Sequence, residues 1–273
     1  MTEAAFKTII DGVRVIPVRS PTLPPATHTN VWVLGEHHVT IVDPASPYPD
    51  EQERMDALLE ETMVERIVLT HHHADHVSGA LAIQATTGAK IAAHPLTAEL
   101  IDIDVDEILN EDDVIGTDAG FWRVLHTPGH APGHICLYNA GIGTVVAGDM
   151  VAGTGTILID PSEGDLGQYL DSLNRLKDLN PRRLLPAHGP VLESAIDCLD
   201  EYIRHRHMRT EQIAAALAAK PSSPIELAQT IYETLIPASY MPMAARQVLA
   251  HLNWLETQGR VVADGKRFVL VSR

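Results

Sequence analysis

The chain has 273 residues, of which 45% are hydrophobic and 21% charged, and its formal net charge is −16. This length can bury a full core and favours one large domain with a smaller one. No apolar run approaches the roughly 18 residues of a membrane span. Residues 206–273 carry eight Lys and Arg against five Asp and Glu, whereas residues 1–205 carry twelve against thirty-one. The large N-terminal portion is therefore a poor candidate for a generic polyanion-binding surface.

The predicted elements alternate between strands and helices. Residues 8–18 are predicted to form an edge strand or a hairpin, and strands are predicted at 30–35, 39–43, 67–70, 90–94, 121–126, 134–138, 144–149 and 183–188. Helices are predicted at 50–61, 76–87, 166–179 and 193–219. Residues 20–25 contain three prolines and are expected to be loop, and residues 100–113 are expected to be an exposed acidic segment. Strand–helix alternation of this kind is typical of an α/β fold.

The C-terminal segment has a different pattern. Two further helices are predicted at 224–235 and 244–258, and two short strands then flank an Asp264-Gly265 turn, which is a strong hairpin signal. Two helices followed by a hairpin resemble a winged helix. We therefore expect two domains, a catalytic domain at 1–205 and a winged-helix-like domain at 206–273.

The two cysteines and the N-terminus bear on the cellular compartment. Cys136 and Cys198 are far apart in the sequence and form no CxxC pair. Neither a disulfide framework nor a cysteine-based zinc site is indicated. The first residues also lack the basic-then-apolar layout of a signal peptide. These features predict a cytoplasmic protein with no membrane association.

Four ligand-type side chains follow the predicted strand at 67–70. They are His71, His73, Asp75 and His76. Imidazole nitrogens and carboxylates are the ligands of catalytic zinc sites. A single histidine at the end of a strand is more often an ordinary surface or core residue, but four such side chains within six positions favour a metal site.

Three more ligand-type residues stand at the ends of later predicted strands. His134 follows a Gly/Pro-rich loop, Asp149 ends the strand at 144–149, and His188 lies just past the strand at 183–188. Each is weak evidence alone. Open α/β sheets place their sites at the carboxyl ends of strands, so the seven residues together indicate one site.

This set of residues resembles that of the metallo-β-lactamase superfamily, and especially of hydroxyacylglutathione hydrolases. The runs Ala187–Val191, Tyr202–Arg209 and Glu211–Ile213 and the C-terminal segment also resemble a lactamase-like subgroup that contains endoribonucleases and thioesterases. The resemblance implies an α/β fold, namely an αββα metallo-β-lactamase sandwich with a small C-terminal winged helix. It further implies two zinc ions, although iron or manganese would suit the same ligands.

The resemblance assigns roles to the individual residues. One zinc would be held by His71, His73 and His134, the second by Asp75, His76 and His188, and Asp149 and a hydroxide would bridge the two. Asp75 would also be catalytic, orienting the nucleophile and carrying a proton. Asp43 would brace the metal loop. His130 matches a family position that supports the site and does not normally bind the metal.

Substrate contacts are expected from loops beside the site. His28 and Asn30 match a family loop that borders the metals, and Thr154 follows the strand that ends in Asp149. Ordinary turn residues without a substrate role are the alternative for each of the three.

The expected function is a dinuclear zinc hydrolase that uses a metal-bridging hydroxide on a small ester, thioester, lactone or amide. The alternative is a zinc-dependent endoribonuclease acting on single-stranded RNA. The subgroup's endoribonucleases carry an aromatic residue and an arginine where this chain has His72 and Ala74. Because that arginine is absent and residues 1–205 are acidic, a small-molecule partner is favoured over RNA.

A third hypothesis is a nucleic-acid-binding or scaffolding protein whose winged helix is the functional part. The helix predicted at 244–258 offers Arg246 against Glu256 and no basic cluster, which is weak for DNA recognition. An interaction or active-site-lid role is preferred for this domain, and a homodimer is one assembly that it would serve.

Overall fold

The computed structural model describes residues 6–271. Its larger sheet has seven strands in chain order, of which the first four are antiparallel neighbours and the last three run parallel to the fourth. These strands are β1 (Lys7–Ile10), β2 (Val13–Arg19), β3 (His28–Leu34), β4 (His38–Val42), β5 (Met63–Leu69), β6 (Lys90–Ala93) and β7 (Glu107–Ile108). The intervening helices are α1 (Pro49–Leu59), α2 (Ala74–Val77), α3 (Ala80–Thr87) and α4 (Pro95–Ala98).

A second sheet has five strands. They are β8 (Val114–Thr117), β9 (Gly120–His126), β10 (Ile135–Asn139), β11 (Thr144–Gly148) and β12 (Arg183–Pro186). The spatial order is β12-β11-β10-β9-β8, with every pair antiparallel except β11 and β12. The parallel pair sets the carboxyl ends of these two strands side by side, so the residues that follow them emerge at one edge of the sheet.

Two apolar cores explain the layering. One contains Trp32 and Val68 of the first sheet together with Trp122 and Leu137 of the second, so the two sheets face each other. The other joins the opposite face of the first sheet to apolar side chains of α1 and α3. Strands that are buried on both faces read as near-continuous apolar runs, which is why Ile67-Val68-Leu69 carries no polar alternation.

The rest of the chain is mostly helical. It contains α5 (Leu166–Asp178), α6 (Ala195–Ala219), α7 (Pro224–Tyr232), α8 (Met241–Thr257) and the hairpin of β13 (Val261–Asp264) and β14 (Arg267–Leu270). A core that includes Leu217, Leu227, Leu252 and Phe268 joins α6, α7, α8 and the hairpin. Below, α7, α8, β13 and β14 with the C-terminal half of α6 are called the winged helix.

The chain divides into two compact units. The first comprises the chain up to Thr127 with Pro132–Ile157 and Leu179–Ile196, and the second comprises Pro128–Ala131, Leu158–Asp178 and the chain from Asp197 onward. The second unit thus includes two internal segments besides the C-terminal region. The boundary expected at 205/206 falls within α6, which is one continuous helix. None of the helices among residues 6–271 combines the length and the apolar character that crossing a bilayer requires.

Two local predictions differ from the structure. Residues 76–87 are divided between α2 and α3, and at the junction Gly79 lies so close to Pro44 that a Cβ there would be 2.0 Å from the Pro44 carbonyl oxygen. The 100–113 segment is only partly exposed. Its apolar residues Ile101, Ile103 and Val105 pack on the core of the first sheet, while the aspartates between them face solvent. The alternation of apolar and acidic residues in this segment is the sequence pattern that indicates one buried and one exposed side.

Candidate metal centre

The histidine loop begins where β5 ends. His71 follows the buried Thr70, His73 is the residue before the first turn of α2, and Asp75 and His76 belong to that helix. Residues two apart in extended chain point to the same side, and Nε2 of His71 lies 3.0 Å from Nδ1 of His73. The chain then turns from an extended conformation into α2, which carries Asp75 and His76 as a second pair of candidate ligands.

His134 and Asp149 lie beside this loop. The imidazole centroids of His71 and His134 are 5.2 Å apart, and the backbone N–H of Asp149 donates to Nε2 of His134 at 3.0 Å. The last residue of β11, Gly148, has to be glycine. Gly148 has φ +48°, and a Cβ there would lie 2.6 Å from Nε2 of His134. The strand end can therefore approach the imidazole only as glycine.

A second group of donors surrounds His76. Its Nε2 lies 3.6 Å from Oδ1 of Asp149 and 4.0 Å from Oδ1 of Asp75. Nε2 of His188 lies 3.5 Å from Oδ2 of Asp75 and 3.5 Å from Oδ1 of Asp149. One ligand atom from each of Asp75, His76 and His188 falls within 4.8 Å of the others, and the same is true of His71, His76 and Asp149. The structure thus brings together all seven residues that the sequence indicated.

Hydrogen bonds on the far side of the rings fix four of the histidines. Nδ1 of His76 donates to Asp43 at 2.8 Å, and Nδ1 of His188 donates to the His28 carbonyl at 3.1 Å. Nδ1 of His71 lies 3.0 Å from the Thr70 hydroxyl, which itself donates to Asp43. Nδ1 of His134 lies 2.9 Å from the Thr127 hydroxyl. A proton on each Nδ1 makes Nε2 the nitrogen that can bind a metal, although Nε2 of His134 accepts the Asp149 N–H in this structure.

The two threonines were not recognised from the sequence. Thr70 and Thr127 are both fully buried hydroxyl residues at the ends of strands. The available signal was a polar residue directly after each apolar strand, before the loop that carries the histidine. Asp43 was expected to brace the metal loop. Its carboxylate also accepts the backbone N–H of Thr70 at 2.7 Å, and its own φ is +54°.

The carboxylates shape the charge of the site. Burial lowers the pKa of His76, but the adjacent Asp43 and Asp149 carboxylates outweigh it and raise that pKa well above its usual value. Burial also lowers the pKa of His188, but the Asp75 and Asp149 carboxylates outweigh it and raise that pKa. The pKa of Asp75 is lowered although burial raises it, because it accepts a hydrogen bond from His188 and faces His76. A site that attracts protons onto imidazoles in this way also attracts a divalent cation.

The donor set fits metal ions. Nε2 of His76 is buried and has no hydrogen-bond partner anywhere in residues 6–271, although Asp75 and Asp149 lie just beyond bonding distance. A buried polar atom without a partner is costly, and a metal ion supplies the missing interaction. Imidazoles with carboxylates and no thiolate suit zinc, iron or manganese.

The expected substrate contacts have different environments. The side chains of His28 and Thr154 are exposed. Both residues flank the His188 loop: the His28 carbonyl accepts a hydrogen bond from His188, and a Cβ on Gly189 would meet the backbone of Thr154. Asn30 is only 8% exposed. Its amide donates to the carbonyls of Pro186 at 3.0 Å and Gly189 at 2.8 Å, so its hydrogen atoms are used to hold that loop. His130 belongs to the second unit, where its Nδ1 donates to the Leu158 carbonyl at 2.8 Å.

Comparison with known proteins assigns the class. Residues 24–188 match the family model described as the metallo-beta-lactamase superfamily, and residues 223–268 match the beta-lactamase associated winged helix domain. The chain therefore belongs to the metallo-β-lactamase superfamily, whose members are generally metal-dependent hydrolases, and it is an enzyme of that class. The expected α/β fold of a metallo-β-lactamase with a C-terminal winged helix is confirmed.

The chain is similar in sequence to individual curated proteins. The chain is 31% identical over 219 residues to a Drosophila melanogaster protein named beta-lactamase-like protein 2 homolog, a match that covers 74% of this chain and 72% of that protein. A Caenorhabditis elegans protein of the same name is 32% identical over 69% of this chain, and the match spans 65% of its length, slightly less than two thirds.

Solved structures agree with this fold. A beta-lactamase domain protein from Burkholderia ambifaria superposes with a TM-score of 0.86 at 22% identity, covering 98% of this chain and 94% of the other. A structure of TTHA1623, described as a di-iron-bound form, superposes with a TM-score of 0.54 at 28% identity, covering 67% of this chain and 96% of the other.

Proposed function

We propose that this chain is a dinuclear zinc hydrolase of a small ester, thioester, lactone or amide. The observation that supports it best is the convergence of the donors: ligand atoms of Asp75, His76 and His188 lie within 4.8 Å of one another, and so do those of His71, His76 and Asp149. His71, His73 and His134 would hold one ion, Asp75, His76 and His188 the other, and Asp149 would bridge them. When bound, two zinc ions lower the pKa of water towards about 7 and polarise the scissile bond.

The protein's own side chains would perform the remaining steps. Asp75 is only partly buried, whereas His71, His76 and His134 are fully buried. Its backbone is fixed, since the Thr29 hydroxyl donates to the Asp75 carbonyl at 2.9 Å. The Asp75 carboxylate would orient the nucleophile and pass a proton from one Oδ oxygen to the leaving group. His28 and Thr154, exposed beside the His188 loop, are the proposed substrate contacts.

The choice of a small-molecule substrate is based on charge. Residues 1–205, which supply all the candidate ligands, carry thirty-one acidic against twelve basic residues. RNA binding relies on cations that neutralise phosphates, so this balance favours a compact substrate with little negative charge. The di-iron description of TTHA1623 makes iron the metal to be measured alongside zinc.

The test begins with the metal content of the purified protein, and we expect two ions per chain. The zinc-loaded protein is then assayed against a thioester, a lactone, a β-lactam and a labelled single-stranded RNA. We expect hydrolysis in the small-molecule set, with kcat reduced by at least about 10²-fold in Asp75→Ala. Asp102→Ala removes an exposed carboxylate outside the site and should have no effect. RNA cleavage that is lost in Asp75→Ala, without small-molecule turnover, would overturn the proposal.

A further inference from the structure

The loop Pro128–Ala131, which precedes His134, is held by the second unit. The backbone N–H of Asp165 donates to the Gly129 carbonyl at 2.8 Å, and the Ser172 hydroxyl donates to the Pro128 carbonyl at 2.8 Å. His130, only 6% exposed, donates from Nδ1 to the Leu158 carbonyl. Three consecutive loop residues are thus anchored to the 158–178 segment.

The backbone of this loop lies directly against α5. Gly129 has φ +131°, and a Cβ there would lie 2.2 Å from the Tyr169 backbone nitrogen. Gly164 is similarly close, with a Cβ position 2.7 Å from the Gly129 carbonyl oxygen. Contacts of this kind leave no room for adjustment, so the loop must follow any displacement of the 158–178 segment.

The 158–178 segment is in turn held by α8. Oε1 of Gln247 accepts the backbone N–H of Ile159 at 2.9 Å, and Gln247 is only 8% exposed. Nη2 of Arg246 donates to Oδ1 of Asp160 at 2.5 Å and to the Ser162 hydroxyl at 3.0 Å. Burial raises the pKa of Asp160, but hydrogen bonds from Ser162 and Arg246 outweigh it and lower that pKa, so the carboxylate stays ionised.

The chain itself carries this constraint to the metal ligand. Three residues follow the loop, Pro132, Gly133 and His134. Each residue spans at most about 3.6 Å, so the loop and the ligand are separated by about 11 Å of chain at most. Gly133 is fixed by the Thr97 hydroxyl, which donates to its carbonyl at 2.9 Å. Besides its own hydrogen bonds with Thr127, His134 is therefore anchored through the preceding chain at Thr97 and on α8.

The same contacts argue against DNA recognition by α8. The recognition helix of a winged helix presents cations to the major groove and backbone phosphates. Arg246 is the one Lys or Arg in α8, and it is bonded to Asp160 and Ser162. Gln247, the neighbouring side chain able to read a base, is buried against Ile159.

We propose that the winged helix positions a metal ligand: Arg246 and Gln247 of α8 hold the 158–178 segment, which holds the loop Pro128–Ala131 and thereby His134. The inference rests on the proposed function, in which His134 is a zinc ligand. Arg246 and Gln247 are positioning residues in this scheme and contact neither metal nor substrate.

The test uses the full-length chain with Arg246→Ala and Gln247→Leu, separately and together. Zinc affinity is measured by competition with a chelator, and we expect the double variant to bind one of its ions about 10- to 100-fold more weakly. The absorption spectrum of the cobalt-substituted protein should change in parallel, because it reports the geometry of the ligands. Arg246→Lys keeps a cation near Asp160, so this variant should retain most of the zinc affinity that Arg246→Ala loses.

Arg267→Ala is the matched control. Arg267 forms an ion pair with Glu226 within the winged helix at 2.7 Å, outside the contacts with the 158–178 segment. An equal loss of zinc affinity in Arg267→Ala would mean that any destabilisation of the winged helix weakens zinc binding, and it would overturn the inference. Unchanged zinc affinity and cobalt spectra in the double variant would also overturn it.

Hydrogen exchange distinguishes this inference from the proposed function. Backbone amides of residues 128–134 should exchange faster in the double variant than in the wild-type chain, whether or not metal is present. Faster exchange in a chain that binds no zinc would support the anchoring and contradict the proposed function. Unchanged exchange together with two bound zinc ions would contradict the anchoring alone.

Discussion

The carboxylate of Asp43 lies behind the imidazole of His76, with Oδ2 2.8 Å from Nδ1. The same carboxylate accepts both the backbone N–H and the hydroxyl of Thr70. Asp43, just after β4, therefore fixes both Thr70, which precedes the histidine loop, and the ring of His76, a candidate metal ligand. Both residues are almost completely buried, at 2% and 0% exposure, so water cannot replace the interaction.

Replacing Asp43 by Asn should weaken metal binding. The amide keeps the size of the carboxylate but presents one acceptor and an NH2 group where three donors converge. Partners of this kind typically contribute 10- to 100-fold to metal affinity, so we expect a loss of about that size. Isothermal titration with zinc measures it, and Asp102→Asn at an exposed site is the control. Unaltered zinc affinity in Asp43→Asn would show that Thr70 alone fixes the loop.

Replacing Asn30 by Asp should disturb the His188 loop. A carboxylate would face the carbonyl oxygens of Pro186 and Gly189, which the amide now satisfies as a donor. Leaving buried carbonyls without donors typically lowers stability by about 1–3 kcal/mol. We expect a lower free energy of unfolding and a weaker second zinc site. If Asn30 instead contacts substrate, KM alone will rise and the denaturant midpoint will stay unchanged.

Removing the metal should lower thermal stability. Asp75 and Asp149 repel each other across the site, and bound cations relieve this repulsion. A ligand present at about 100 times its Kd stabilises the folded state by about 2.7 kcal/mol. We expect EDTA to lower the Tm and added zinc to restore it in two steps. His188→Ala, which removes a proposed ligand of one of the two ions, should leave a single step.

Acid should destabilise the first unit through His94. Its ring stacks on His126 with centroids 4.1 Å apart, and burial together with the charge of His126 lowers the pKa of His94 to about 4. The unfolded chain takes up this proton near pH 6.5, before the folded chain does. Stability from His94 is therefore complete above pH 6.5 and lost as the pH falls towards 4.

The His94→Asn variant tests this pH dependence. Asparagine can still accept the backbone N–H of Leu96 at the start of α4, as Nδ1 of His94 does, but it does not titrate. The urea midpoint of the variant should vary less than that of the wild-type chain between pH 6.5 and 4. Exposed His37→Asn should follow the wild-type curve. Parallel curves for His94→Asn and the wild-type chain would refute the assignment.

Much of the fold followed from local sequence patterns. The apolar run before His71, the Gly/Pro loops around His130 and the Asp264-Gly265 turn each specify their own structure with few residues. Six of the seven ligand candidates could be found because they lie in the segment after β5 or just after β11 and β12, whereas His134 directly precedes β10. That Asp75 and Asp149 both lie within 4.0 Å of His76 and His188 became clear only from the structure.

Other features depend on contacts between distant parts of the sequence. Asn30 holds the carbonyls of Pro186 and Gly189, more than 150 residues away, and no local pattern marks such a pairing. The partnership of Gln247 with Ile159 is of the same kind. The partial burial of the 100–113 segment was not predicted, because its many acidic residues indicate exposure and its apolar residues alternate with them.

The division of the chain has a practical consequence for anyone who wishes to dissect it. Independent domains are usually joined by a single exposed linker. Here the backbone passes between the two units after Thr127, Ala131, Ile157, Asp178 and Ile196. A fragment cut at any one point, including the C-terminal winged helix alone, would leave part of a unit behind. Grafting this winged helix onto another hydrolase would require its 158–178 partner and the Pro128–Ala131 loop to be transplanted with it.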